Sequence, residues 1–484
     1  MSRTGCAISA LSRNVRPVRS SVLDVQGRRF ATGIVGNTSS VELKVSQDRL
    51  MADIHATCEW GKGPRWGTGK HETGMSRLAL SDADKECRDW FVHTTKSLGC
   101  EVTVDAMGNT FAVRPGRRRG FPPTCAGSHL DTQPTGGRYD GILGVCAGLE
   151  MLRVLHEQKI ETHFPVGVVN WTNEEGARFP ISMVASGVWA GVIPLEKAHN
   201  LREVGGNGRT MKQELDRIGY LGEKDAHHQA IPLGAHFELH IEQGPRLQAG
   251  NRRIGVVHGV QAYRWHTITV QGQDCHTGTT DFANRSDALL TTARLILHSH
   301  RLAVKYDALA STGIIRAIPG STNTVPGWVQ FSLDIRATKD DVLLDLEKHL
   351  KSDFDEIIRG NPVNGLNDGP EVMGRPCTIE WTLDAPSRAT RFDDGCIDCV
   401  RQSAAHLLGT EYKEYIQEMI SGAGHDSVFT SRRCPTSMIF VPCLDGLSHN
   451  PAEYCAPNDC ANGAQVLMDS VLRFDRLRQV NSGE

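Results

Sequence analysis

CAGSHLDTQPTGGRYDGILGVCAGLEMLRVLH, residues 125–156, compresses a strand, a glycine-rich loop and a helix into one stretch. Cys125–Leu130 is small and apolar and predicts a short buried strand. Gly141–His156 places apolar residues at helical spacing and predicts an amphipathic helix. Gly136, Gly137 and Gly141 supply the tight turns between them. Strand, loop and helix in that order are the unit of a parallel sheet, and ligands gather where such strands end.

Outward from this stretch the alternation continues. Ser81–Leu98 predicts a helix, and Phe164–Trp171 and Phe237–Ile241 predict strands with both faces covered. From about 255 to 378 the texture changes. Strands at Trp265–Val270 and Trp328–Ile335 are separated by helices at Ser286–His300 and Lys339–Arg359. Met438–Val441 then returns to a short buried strand. The expected fold is α/β, a discontinuous domain with a mainly parallel sheet, into which a smaller α+β unit is inserted. The expected divisions are 1–45, a flexible N-terminus; 46–254 and 379–484, the two parts of the larger domain; and 255–378, the insert.

Composition narrows the function. The chain has 484 residues, long enough for two domains, and a net charge of −3. That balance offers no basic field for nucleic acid and no polybasic patch for a membrane surface. No apolar run approaches the roughly 20 residues a membrane helix needs. Fourteen cysteines are scattered, and only Cys396 and Cys399 form a CxxC. Free thiols in a reducing compartment are the expectation. Residues 1–30 differ from the rest. They carry Arg3, Arg13, Arg16, Arg19, Arg28 and Arg29 against one acid, Asp24, a transit-peptide composition that predicts mitochondrial import, with a cytoplasmic location as the alternative.

The residues suited to chemistry fall in or beside loops that follow predicted strands. His129 and Asp131 alternate by two, so one can bind a metal while the other orients it or a neighbouring ligand. Asp140 stands at the mouth of a helix with two oxygens free to bridge two cations. Glu174 and Glu175 are neighbours that point opposite ways, so one can ligate while the other carries a proton. His240 and His449 each follow a strand end. Five nitrogen and oxygen donors, His129, Asp140, Glu175, His240 and His449, suit zinc, with manganese, cobalt or nickel as substitutes. Two such ions sharing a water would hydrolyse an amide or a relative of one.

Several segments together resemble the carbamoyl-amino-acid amidohydrolases, a branch of the aminoacylase and carboxypeptidase-type di-zinc hydrolases. They are GSHLDTQPTGGRYDGILG (127–144), NWTNEEGARFP (170–180), HIEQGP (240–245), GQDCHTGTTDFANRSDA (272–288), PGSTNTVPG (319–327), DIR (334–336), SGAGHDS (421–427) and SHNPAEY (448–454). Within the branch the wording is most similar to fungal-type β-ureidopropionases. The resemblance implies two Zn²⁺ per subunit, one on His129, Asp140 and His240, the other on Asp140, Glu175 and His449. It makes Glu174 the general base and acid, Asp131 the orienting aspartate, and His276 an oxyanion stabiliser. Gln243, His276, Asn323, Arg336 and His425 become substrate-binding positions, with Arg336 gripping a carboxylate. His276 and Asn323 would reach a neighbour's site, so the insert is expected to serve as lid and dimerisation domain of a homodimer. The implied substrate is a small N-carbamoyl amino acid, foremost N-carbamoyl-β-alanine, as in pyrimidine breakdown. N-carbamoyl-L-amino acids and allantoate are the alternatives within that reaction. A dipeptidase, an aminoacylase or a non-catalytic binding protein on the same fold stands further off.

Overall fold

The computed structural model describes residues 43–205, 208–361 and 374–483; the arginine-rich segment and most of the expected N-terminal stretch lie outside them. In chain order the strands of the two principal sheets are β1 Glu101–Val104, β2 Thr110–Arg114, β3 Thr124–His129, β4 Val166–Trp171, β5 Ala235–Ile241, β6 Ile254–Val260, β7 Ala262–Gln271, β8 Leu309–Ser311, β9 Ile315–Ile318, β10 Trp328–Ala337, β11 Thr378–Ser387, β12 Thr390–Arg391, β13 Ile416–Ser421 and β14 Thr436–Val441. The longer helices are α1 Gln47–Thr57, α2 Asp82–Ser97, α3 Ile142–Glu157, α4 Ala288–Lys305, α5 Asp340–Ile358, α6 Asp394–Leu408 and α7 Pro457–Asn481.

The larger sheet runs β12-β6-β14-β5-β3-β4-β2-β1, with β13 beside β6. Its centre, β4-β3-β5-β14, is parallel, and antiparallel pairs close both margins, so the sheet is mixed. Both faces are covered, as continuous apolar strands require. On one face Ala126, Val166, Val168, Phe237 and Leu239 pack with residues of α1, α3, α6 and α7. On the other, Cys125, Val169 and Trp171 pack with Phe111 and Trp189. Because β3, β4, β5 and β14 run the same way, the loops after His129, Trp171, Ile241 and Val441 open at one end of the sheet. Four of the sequence segments singled out above are thereby placed together.

The smaller sheet is antiparallel, ordered β8-β10-β7-β11 with β9 also on β10. One face is sealed by α4 and α5, through Leu295, Leu346, Leu350 and Phe354 against Ile268, Val270, Phe331 and Leu333. The chain passes from the larger sheet to the smaller within one residue of Gln261 and returns between Ser387 and Thr390. The expected seams at 254/255 and 378/379 therefore cut through β6, which pairs with β13 and β14, and β11, which pairs with β7. Sheet pairing, invisible to composition, moves both. Leu43–Glu484 form one compact unit. At its start Gln465 donates to the Leu43 carbonyl and accepts from the Val45 amide, so the chain is anchored a few residues before the expected end of the flexible segment.

The 13 cysteines among the described residues are free, and Cys396 and Cys399 lie on the buried face of α6 with thiol pKa values pushed up by burial. None of the described helices is long and apolar enough to cross a membrane.

Candidate metal centre

Two groups of donors converge at the common end of the larger sheet: His129, Asp140 and His240, and Asp140, Glu175 and His449, with the ligand atoms of each group within 4.8 Å of one another. Asp140 belongs to both. His129 Nε2 is 3.5 Å and His240 Nε2 3.0 Å from Asp140 Oδ1, while His449 Nε2 is 3.4 Å from both Asp140 Oδ2 and Glu175 Oε2.

The backbone prepares each ligand. His129 Nδ1 lies 2.9 Å from the Asp131 carbonyl and His240 Nδ1 2.9 Å from the Ile241 carbonyl. A carbonyl can only accept, so each Nδ1 carries a hydrogen and Nε2 is the nitrogen turned inward, the usual arrangement behind a ligating imidazole. Those two Nε2 atoms are buried and have no hydrogen-bond partner. A lone pair facing a carboxylate oxygen is unfavourable until a proton or a cation comes between, and the nitrogen and carboxylate donor set suits a divalent metal. These residues therefore fit metal ions.

Close approach makes two glycines necessary. Gly141, at φ +69°, lies against the His129 ring, where an added Cβ would come within 2.4 Å of it. At Gly137 a Cβ would meet Glu453 at 2.2 Å. Asn173, Met183, Gln243 and His449 hold left-handed φ values of +54° to +57° without being glycines. Such strain persists where the surroundings over-determine it, commonly at functional sites.

Asp131 holds the glutamate loop: its two carboxylate oxygens accept from the Glu174 and Glu175 amides, each at 3.3 Å, and its Oδ1 also lies 3.9 Å from His129 Nδ1. Its carbonyl is the hydrogen-bond partner of His129 Nδ1. Glu175 also accepts from Gln133 Nε2 at 2.8 Å. Glu174 Oε2 stands 3.6 Å from His129 Nε2. Burial, with the charges of Asp426, Glu175 and Asp140, pushes the Glu174 carboxyl well above the usual range despite His129. Burial and Asp140 likewise raise Glu175, to about 7. Burial works against the charge on Asp140, but His240, His129 and His449 override it and hold that carboxyl well below the usual range. The hydrogen bond to Asp140 raises His449 to about 9.

A cavity of about 220 Å³ opens above these residues, lined by Glu174, His240, Gln243, Arg336 and His425 among others. Gln243 donates to Asp140 Oδ2 at 2.9 Å and Ser448 Oγ at 3.1 Å, and its Oε1 is buried without a partner. His425 packs edge-on to His240 at 4.5 Å between ring centroids and shares a 3.1 Å hydrogen bond with Ser421. Burial, with neighbouring His240, brings it down to about 3, so it stays neutral. Arg336 comes from β10. It forks onto Asp334 at 2.8–3.1 Å and donates to the Gly422 carbonyl at 2.7 Å, spanning the two sheets.

His276 and Asn323 are not brought into this cavity. Both are exposed on the short pairing of 275–276 with 324–325, where the Asn323 carbonyl accepts from the Thr277 amide.

Sequence reasoning missed four contributors. Glu453, 2% exposed, accepts from the Tyr139 and Asp140 amides at 2.9 and 3.0 Å and from Ser448 at 3.0 Å. It ties the Asp140 loop to the His449 loop, although it lies inside the segment SHNPAEY. Tyr263, Trp265 and Met183 also line the cavity. A signal for the first two was the alternation along β7, which puts both on the face opposite the helices.

Residues 125–473 match the family model described as peptidase family M20/M25/M40. An N-carbamoyl-L-amino-acid amidohydrolase of Rhizobium meliloti is 38% identical over 89% of this chain and 96% of that protein. A ureidoglycolate hydrolase of Oryza sativa subsp. japonica is 30% identical over 91% of this chain and 87% of its own. Among solved structures, an amidase of the hydantoinase/carbamoylase family from Burkholderia multivorans superposes with a TM-score of 0.79 at 39% identity, over 89% of this chain and 98% of that one.

Proposed function

The chain belongs to peptidase family M20/M25/M40 and is a hydrolase acting on non-peptide C–N bonds; on that premise we propose that it removes the N-carbamoyl group from an N-carbamoyl-L-amino acid. The observation that carries this is Glu174 standing beside two ligand triads that share Asp140, in a cavity that also holds Arg336. In this reading His129, Asp140 and His240 hold one zinc ion, and Asp140, Glu175 and His449 a second, with manganese, cobalt or nickel as substitutes. Ions so held lower the pKa of a water and polarise a carbonyl.

Glu174 takes a proton from the attacking water and delivers it to the departing nitrogen, as a buried carboxyl with a raised pKa is suited to do. Asp131 keeps Glu174 in place through its amide. Arg336 offers a planar fork to the substrate carboxylate. Gln243 Oε1, left without a donor, accepts from the ureido N–H, and neutral His425 borders the reacting group. The products are the free amino acid, ammonia and carbon dioxide.

The relatives' names speak of N-carbamoyl-L-amino acids and ureidoglycolate, so N-carbamoyl-β-alanine, expected from the resemblance, becomes the comparison substrate. The unit proposed is a homodimer formed through the smaller sheet and its helices. Leu290, Val304 and Ile315 are more than half exposed there, and His276 and Asn323 stand clear of their own cavity, free to serve a second copy. A mitochondrial address rests on residues 1–30 alone, and localisation of a tagged full-length chain tests it.

The test follows ammonia and free amino acid together, from N-carbamoyl-L-amino acids, N-carbamoyl-β-alanine, allantoate, ureidoglycolate, N-acetyl amino acids and dipeptides in parallel. Chelator-sensitive turnover of the N-carbamoyl set is expected. Preferential cleavage of dipeptides or N-acetyl amino acids would overturn the proposal.

A further inference from the structure

The face of the smaller sheet away from α4 and α5 is not uniform. Along β7 it presents Tyr263, Trp265, Thr267 and Thr269, and along β10 Arg336, Asp334, Ser332 and Gln330, with Asp334 opposite Trp265 and Arg336 opposite Tyr263. Hydroxyl, amide and carboxylate side chains occupy its middle, where Thr267 donates to Asp384 of β11 at 2.8 Å. Beyond Trp328 at the far end, its large aromatics are Tyr263 and Trp265, at the end that borders the cavity.

These two rings are fixed as a plate. Their centroids are 5.2 Å apart with planes 31° from parallel. The Arg336 guanidinium lies over the Tyr263 ring at 5.6 Å, and Ser387 of β11 stands beside Tyr263 in the ladder. Trp265 is nevertheless 43% exposed. Met183, Ala423 and Gly424, apolar or small, line the same cavity, with Gly424 against the Met183 thioether. A large ring held open to water beside a carboxylate-gripping arginine is a surface waiting for apolar atoms, because covering it is favourable only if the ligand brings them.

We propose that Trp265, backed by Tyr263 in a cavity also lined by Met183, Ala423 and Gly424, is the side-chain subsite of this hydrolase. The preferred substrates are then N-carbamoyl α-amino acids with a large apolar or aromatic side chain. An α-amino acid gripped by Arg336 at its carboxylate projects its side chain from the adjoining carbon, toward the plate. N-carbamoylglycine and N-carbamoyl-β-alanine have no such group and leave Trp265 wet. This inference rests on the decarbamoylase reading and adds its specificity.

The experiment measures kcat/KM of the wild-type enzyme and Trp265→Ala on N-carbamoyl-L-phenylalanine, N-carbamoyl-L-leucine, N-carbamoylglycine and N-carbamoyl-β-alanine. The wild type should favour the first two by about tenfold or more, the scale on which apolar pockets discriminate. Trp265→Ala should lose most of that preference, chiefly through KM, while the glycine and β-alanine derivatives change by less than about threefold. Trp265→Phe should restore part of it, which a merely structural role would not predict. A wild type that prefers the β-alanine derivative, or an equal loss on all four substrates in Trp265→Ala, would overturn the inference and leave the decarbamoylase reading standing. Absence of turnover on every N-carbamoyl substrate would remove both.

Discussion

The floor and the roof of the cavity are built on opposite plans. The floor is the common end of a parallel sheet, with His129 and His240 1% exposed and each Nδ1 already committed to a backbone carbonyl. The roof is the open face of an antiparallel sheet, where Trp265 is 43% exposed and Arg336 reaches across to the Gly422 carbonyl just past β13. A site that must move protons between fixed atoms benefits from a buried, over-determined frame. A site that must admit and grip a substrate needs groups that remain available. The difference suggests that the floor sets rate and metal binding for every substrate, whereas the roof sets affinity and choice.

The largest effect should fall on the floor. Glu174→Gln keeps the shape and removes the base. A drop of about 10²–10⁴ in kcat is expected, equal for all substrates, with metal content unchanged by elemental analysis. A drop confined to one substrate would merge floor with roof. Arg336→Ala should cost about 10²-fold in kcat/KM, carried mostly by KM, because a fork-shaped pair to a carboxylate is lost. Arg336→Lys should recover only part, since an ammonium cannot fork. A kcat loss with unchanged KM would place Arg336 with the chemistry instead.

Glu453→Ala tests how the floor is held. The variant strips acceptors from the Tyr139 and Asp140 amides and from Ser448, so metal affinity in a chelator competition should fall by about 10–100-fold. The protein should remain folded by circular dichroism. The smallest effect concerns the ion cluster behind the glutamate loop. Arg178, four residues after Glu174, donates to Glu203 and Glu214, and Glu214 also takes Arg209 and Arg217. Burial alone would raise Glu214, but these arginines bring it down to about 2. A depressed carboxyl pKa stabilises the fold above the ordinary value of 4.5 and loses that contribution as pH falls toward 2. Glu214→Gln should therefore melt a few degrees lower at pH 7, on a scale of about 2–4 °C per kcal/mol. The gap should narrow steadily as pH falls from about 4.5 toward 2 in thermal scans. A gap independent of pH would contradict the assignment.

The floor was far more legible in the sequence than the roof. Buried strands with helices between them have strong periodicity, so Thr124–His129, Val166–Trp171 and Ile142–Glu157 fall within two residues of expectation. Their end loops then had to meet, which is why the five donors could be anticipated as a set, whereas their division into two groups came from the family resemblance. The strands at Glu101–Val104 and Ile254–Val260 were not anticipated; the second pairs with Ile416–Ser421 and Thr436–Val441, partners distant in the chain. The same holds for Glu453, whose role exists only because the Asp140 loop, more than 300 residues earlier, folds onto it. Trp265 was read as the start of a strand. Only the cavity shows that its outward face meets the site.

The most direct test of the central reading is the stoichiometry of products from N-carbamoyl-L-leucine with metal-loaded wild type and Glu174→Gln. Expected are equal amounts of free leucine and ammonia from the wild type, abolished by a chelator, and almost none from a variant that still binds its metals. Full turnover by metal-loaded Glu174→Gln, or wild-type turnover indifferent to metal removal, would contradict it.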